Sequence, residues 1–157
     1  KDLFSGLYSE EYLYGEGKKI IDQFTTSTIC MFKITNLPEI NQKCSRELGN
    51  EVIIRISDYI KENISEQYVF VRYMGPKFVI AFSGVEINGV VEYINDLKEK
   101  IENTKIELEE DEEVSVFPRL NFTISTYYKG TGLEEILKKQ EEYLDNCDSN
   151  ESDITNI

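Results

Sequence analysis

Chemistry in this chain has to be done without histidine, which is absent from all 157 residues. That removes imidazole general bases, Ser–His and Cys–His nucleophile pairs, and histidine metal ligands together. The three cysteines, Cys30, Cys44 and Cys147, are odd in number, widely spaced and never in a CxxC arrangement. They read as free thiols in a reducing, cytoplasmic setting, with Cys30 in an apolar run as a core residue. Carboxylates are abundant, and six of the seven residues 107–113 are acidic, but an unbroken charge run is read as a solvated loop. The unusual feature is the heptapeptide RYMGPKF, residues 72–78. It lies between the apolar, β-rich runs YVFVRY and FVIAF, so Gly75 serves a hairpin turn, yet the turn also carries Pro76 and Lys77. A lysine ammonium cannot ligate a hard divalent cation, which takes oxygen donors; it can contact phosphate as a point charge.

The elements that must position this turn follow from periodicity. Residues 9–24 have helical spacing, with Ser9 as N-cap and a weak middle at Gly15 and Gly17. A central strand is expected at 28–35, a mixed stretch with Pro38 at 36–46, and a helix at 48–64 with Val52, Ile53, Ile56, Ile60 and Ile64 on one face. After the hairpin comes a helix at 86–101, then the acidic loop. A strand beginning near Arg119 alternates Leu120, Phe122 and Ile124 with Asn121, Thr123 and Ser125, as if one side were buried. A last helix spans 132–147. The order predicts an α+β fold with a ferredoxin-like βαββαβ core, an antiparallel-rich sheet flanked by helices. One domain is expected over residues 1–148, and the polar residues 149–157 read as a tail or linker to a following domain. The first residue is Lys1 rather than Met, which implies a piece of a longer protein; whether its parent is membrane-anchored is left open. Net charge of −13 disfavours nucleic acid and anionic membrane as partners.

Four stretches in register resemble the GGDEF domain of diguanylate cyclases. DLFSGLYSEEY (2–12) is similar to the family's opening D-x-L-T-G-L-x-N-R-R, and KITNLPEINQKCSRELGN (33–50) to D-I-D-x-F-K-x-I-N-D-x-x-G-H-x-x-G-D. RYMGPKF is similar to R-Y-G-G-D/E-E-F, and FTIST (122–126) to T-I-S-I-G. The resemblance implies the nucleotide-cyclase palm type of fold. Its active members join two GTP molecules into cyclic di-GMP, using divalent metals held by carboxylates.

The same resemblance implies that this member is degenerate. The metal carboxylate ending the first strand falls on Lys33 and the next acidic position on Thr35. The acidic pair of the signature turn falls on Pro76 and Lys77, before Phe78, and of the glycine pair only Gly75 remains, with Met74 in the other place. The phosphate-cradle lysine falls on Pro38, which has no N–H to donate. The phosphate-holding lysine and arginine near the last helix fall on Asp148 and Ser152. The inhibitory-site R-x-x-D falls on Ser65 and Tyr68, so that site is expected to be absent. What survives as candidate nucleotide-binding residues is Asn41, Asn50, Lys33, Gly75 and Lys77.

No catalytic residue, no metal ligand and no cofactor is therefore expected here, Mg-GTP belonging to active relatives. The domain is read as an inactive regulatory or interaction module of a cyclic di-GMP signalling protein. Its partner would be a neighbouring EAL phosphodiesterase or sensory domain, with homodimerisation and GTP as further possible partners. The alternative reading is a GTP-sensing pseudoenzyme, with an active cyclase third.

Overall fold

The computed structural model describes residues 5–108, 111–148 and 151–157. Residues 2–4 of the first motif and residues 149–150 of the expected tail lie outside that range. Strands β1 (Thr26–Ile34), β2 (Val69–Met74), β3 (Lys77–Phe82), β6 (Leu120–Tyr128) and β7 (Ile154–Asn156) form one sheet in the order β2-β3-β1-β6-β7. Each of its first four members is antiparallel to its neighbours among them, which gives the expected ferredoxin-like order. The fifth, β7, runs parallel to β6 and makes the sheet mixed.

Helices α4 (Arg46–Asn63) and α5 (Ile87–Glu102) cover one face of the sheet, where Phe32, Phe78 and Phe122 join Ile56, Ile60 and Ile94 in the larger core. Ser45 caps α4 by accepting the Leu48 N–H at 3.0 Å. The other face is covered by α6 (Leu133–Asp145), together with α1 (Glu10–Tyr12), a π turn (Leu13–Gly17) and α2 (Lys18–Ile21). The π turn contains Gly15 and Gly17, the weak middle of that helical pattern, and a Cβ on Gly17 would press on the Tyr12 carbonyl and Val69. The mixed stretch at 36–46 resolves into a short helix α3 (Leu37–Lys43) with Pro38 in its first turn.

Three expectations are corrected. The acidic stretch read as a loop is part of a two-stranded antiparallel sheet, β4 (Ile106–Leu108) with β5 (Asp111–Val116). The apolar residues flanking the charges hold it: Ile106 is buried, and Leu108 and Val116 pack on the larger core. β6 is buried on both faces rather than one, because α6 covers the side carrying Asn121, Thr123 and Ser125. These polar side chains are placed inside by hydrogen bonds: Thr123 Oγ1 donates to the Met31 carbonyl at 2.9 Å, and Gln140 Nε2 of α6 donates to the Ile29 carbonyl at 2.9 Å. The tail read as linker contributes β7. It satisfies the outer edge of β6, with Phe122 N–H donating to the Asp153 carbonyl at 2.8 Å and Ile157 N–H to the Ile124 carbonyl at 3.0 Å.

Candidate functional site

The hairpin turn RYMGPKF lies beside the end of β1, with the Ile34 N–H donating to the Pro76 carbonyl at 3.0 Å. Gly75 has φ of +57° and Pro76 follows with φ fixed near −65°, the sign pattern of a type II′ hairpin turn. No atom approaches within 4 Å of where a Gly75 Cβ would stand, so it is backbone conformation, and not crowding, that calls for glycine here. Arg72 Nε donates to the Gly75 carbonyl at 3.0 Å and braces the turn. Met74 is 56% exposed at its tip, whereas Phe78 is buried in the larger core against Phe32.

Lys77 and Lys33 sit side by side, as register partners of β3 and β1. Both project to the face covered by α6, since their neighbours at alternate positions, Val79 and Met31, belong to the core beneath that helix. The Lys77 residue is only 7% exposed. Its ammonium donates to Glu141 Oε2 at 2.8 Å and lies 2.9 Å from Asp145 Oδ1. Lys33 Nζ is 3.9 Å from the same Asp145 oxygen. Burial pulls the Lys77 pKa down, but the hydrogen bonds and charges of Glu141 and Asp145 outweigh it and hold the pKa above the ordinary 10.5. The lysine is therefore charged throughout the physiological range.

Glu141 and Asp145 were not found by motif comparison, which pointed to Asp148 and Ser152. Those two residues face elsewhere: the Asp148 N–H donates to Glu151, and Ser152 donates to Glu102. A signal was present in the sequence, because Leu137, Glu141 and Asp145 recur every fourth residue on one stripe of α6. Asn121 also escaped notice as a site residue. It is the β6 register partner of Lys33, 1% exposed, with its Oδ1 accepting the Asp153 N–H at 3.2 Å and its side chain hydrogen-bonded to the Cys147 thiol.

The remaining candidates are more scattered. Asn41, on α3, lies directly over Gly49 of α4, where any Cβ would overlap its carboxamide oxygen, so the structure brings it beside the segment carrying Asn50. Thr35 is buried and donates to the Arg119 carbonyl at 3.2 Å. Ser65 accepts the Gln67 N–H, and Tyr68 packs edge-on against Phe82, neither presenting a charge.

The donor set beside the turn does not suit a divalent cation. Two ammonium groups occupy β1 and β3, the two carboxylates are drawn to them from α6, and among the described residues no group of three or more His, Cys, Asp or Glu converges to hold a metal ion. No helix among the described residues is long and apolar enough to cross a membrane.

Solved structures share this architecture. The FimX GGDEF domain of Pseudomonas aeruginosa superposes with a TM-score of 0.84 at 15% identity, over 100% of this chain and 98% of that one. The GGDEF domain of DgcB from Caulobacter crescentus, solved with c-di-GMP, gives 0.87 at 12% identity, over 99% and 94%. SiaD of Pseudomonas aeruginosa, a diguanylate cyclase solved with its activator SiaC, gives 0.87 at 11% identity, over 100% of this chain and 61% of that one. At such identities the likeness is one of fold. In sequence, the diguanylate cyclase DosC of Escherichia coli is 24% identical over 93 residues, which is 59% of this chain and 20% of DosC, so the chain spans about a fifth of the length of that relative. The family model described as diguanylate cyclase, GGDEF domain, matches residues 2–153, and the chain belongs to that family.

Proposed function

We propose that this GGDEF-family domain does not condense GTP and acts as a regulatory or interaction module in a cyclic di-GMP signalling protein, next to another domain of the same polypeptide. The observation that carries the reading is Lys77: a buried ammonium, ion-paired to α6, stands in the signature turn where active relatives have a carboxylate. Two-metal phosphoryl transfer needs anionic side chains there to hold cations against the triphosphate. Losing one electrostatic contribution to the transition state commonly costs about 10²–10³ in rate, and here Lys33, Pro76 and Lys77 replace several. The adjoining domain is an EAL phosphodiesterase or a sensory domain, and free thiols at Cys30, Cys44 and Cys147 fit a cytoplasmic setting. Incubating the protein with GTP and Mg²⁺ or Mn²⁺, then separating the nucleotides by chromatography, is expected to return GTP unchanged. Cyclic di-GMP among the products would overturn the proposal.

A second reading, a GTP-sensing pseudoenzyme, draws support from the placement of Asn41 over Gly49 and beside the segment bearing Asn50, which keeps two carboxamides in one region. Calorimetric titration with GTP, GDP, ATP and cyclic di-GMP separates the two. Heat with GTP alone favours sensing, and flat traces with all four favour the interaction role.

A further inference from the structure

We propose that the groove between α4 and α5 binds a small zwitterion with an apolar body, of the size and charge pattern of a free aromatic or branched α-amino acid. This site is separate from the signature turn and stands whether or not the domain condenses GTP.

Three elements build the cavity. Its floor is Ile56 of α4, Ile101 of α5 and Ile106 of β4, all buried. The half-buried ring of Tyr59 adds a wall on the α4 side. The volume is about 320 Å³, at the lower end of the roughly 300–1,000 Å³ of small-molecule pockets, so it suits one compact molecule and not a docked helix. The two helices are tied together beside it: the Tyr93 hydroxyl of α5 donates to the Asn63 carbonyl at the end of α4 at 3.1 Å. A cavity whose walls are already fixed costs little ordering to occupy. Neither the turn at 72–78 nor Ser65 and Tyr68 lines it.

The rim carries both signs of charge, and two of its charges are unspent. Arg55 Nε donates to Glu51 at 2.7 Å, and Asp58 lies 3.3 Å from Lys61. Glu62 on the α4 side and Lys100 on the α5 side have no partner for their charged groups among the described residues, and they do not pair with each other across the opening.

That pattern selects the occupant. A simple carboxylate would meet Lys100, but also Glu62 and a chain of net charge −13. A simple amine would meet Glu62, but also Lys100. A molecule with an ammonium, a carboxylate and an apolar group answers both ions and the floor together. Burial of its apolar group against three isoleucines and a tyrosine ring supplies the larger share of the affinity. The two exposed ions contribute less energy and decide which molecule is preferred.

The test compares three probes that share one ring. L-phenylalanine, phenethylamine (which lacks the carboxylate) and hydrocinnamate (which lacks the ammonium) are titrated into the full chain carrying labelled isoleucine methyl groups, and binding is followed by NMR. Saturable shifts are expected at Ile56, Ile101 and Ile106, with phenylalanine binding about fivefold tighter than either analogue, the worth of one exposed ion pair. Lys100→Met should abolish the preference over phenethylamine and keep the preference over hydrocinnamate. Glu62→Gln should do the converse. Both side chains are exposed, so neither substitution disturbs the fold. Absence of saturable shifts at these three isoleucines, equal affinity for the three probes, or variants that leave both preferences intact overturns the proposal. None of these outcomes depends on whether the protein makes cyclic di-GMP, so failure here and failure of the functional reading are separately visible.

Discussion

Phe32, Phe78 and Phe122 form one rung across β1, β3 and β6, facing α4 and α5; Lys33, Lys77 and Asn121 form the adjacent rung, facing α6. Each polar residue is the chain neighbour of a phenylalanine, and the alternation of strand side chains sends the two rungs to opposite faces. On the first face the ring centroids of Phe32 lie 5.2 Å from Phe78 and 5.0 Å from Phe122, an aromatic contact that needs no partner from a helix. On the second face Lys77 is buried against Glu141 and Asp145 of α6. The aromatic rung is committed to stability. The polar rung holds its place through an ion cluster, and ion clusters can be exchanged for other ions.

The largest effect separating the two should come from the aromatic rung. Phe32→Ala removes the ring shared by both stacks at a fully buried site and is expected to destabilise the domain by about 3–5 kcal/mol, read from urea denaturation. A cost under about 1 kcal/mol would show that this face is less tightly packed than its contacts imply.

A smaller but more discriminating effect is expected at Lys77. Lys77→Glu restores an acidic residue of the signature turn yet places it against Glu141 and Asp145, and should cost about 3 kcal/mol without producing cyclic di-GMP. Adding Glu141→Lys should recover part of that loss, since the 77–141 pair is then re-formed with its signs exchanged while Asp145 still faces Lys33. If Lys77→Glu is neutral by itself, α6 is not held by these ions. The pH dependence has a definite sign. Because the folded pKa of Lys77 is raised above 10.5, its stabilisation is fully present below that pH and is lost as pH rises through the folded value. Lys77→Met should lack this alkaline loss.

Asp22 supplies the opposite case. Burial raises its pKa, but hydrogen bonds from Lys18 at 2.6 Å and the Tyr127 hydroxyl at 2.7 Å outweigh it and hold the carboxyl below its ordinary 3.8. Its contribution is present above pH 3.8 and disappears as pH falls through the folded pKa. Asp22→Asn should flatten the acid limb of a stability profile by an amount typical of one charge-assisted contact, about 1.5–3 kcal/mol.

These cases also show what the sequence made legible. The apolar alternation of β1, β3 and β6 and the helical stripes of α4 and α5 announced the core and the ferredoxin-like order. The turn at Gly75 was readable because glycine and proline have strong backbone preferences. Harder to read was anything that depends on a partner brought from far along the chain. Asn121, Thr123 and Ser125 looked like a solvent face, because polarity alone does not distinguish water from a helix that offers hydrogen bonds. Lys77 was legible as a non-ligand, but its counter-ions lie 64 and 68 residues away and were not. The 107–113 run hid a strand pair because its net charge is conspicuous and the anchoring Ile106, Leu108 and Val116 are few.

The smallest expected effect tests whether the α3–α4 junction resembles the aromatic rung or the polar one. Gly49 lies within α4, and a Cβ there would overlap Asn41 Oδ1. Alanine favours helix over glycine by about 1 kcal/mol, and the obstructing atom is the end of an exposed side chain that can rotate away. Gly49→Ala should therefore leave thermal stability within about 1 kcal/mol of wild type while turning the Asn41 carboxamide outward, visible as a shift of its side-chain amide resonances. Under the sensing alternative the same substitution should also weaken any GTP binding, because the carboxamide no longer lies beside the Asn50 segment. A loss well beyond 1 kcal/mol would instead mean that Asn41 cannot move, and that the junction is a packed structural contact with no room for a ligand.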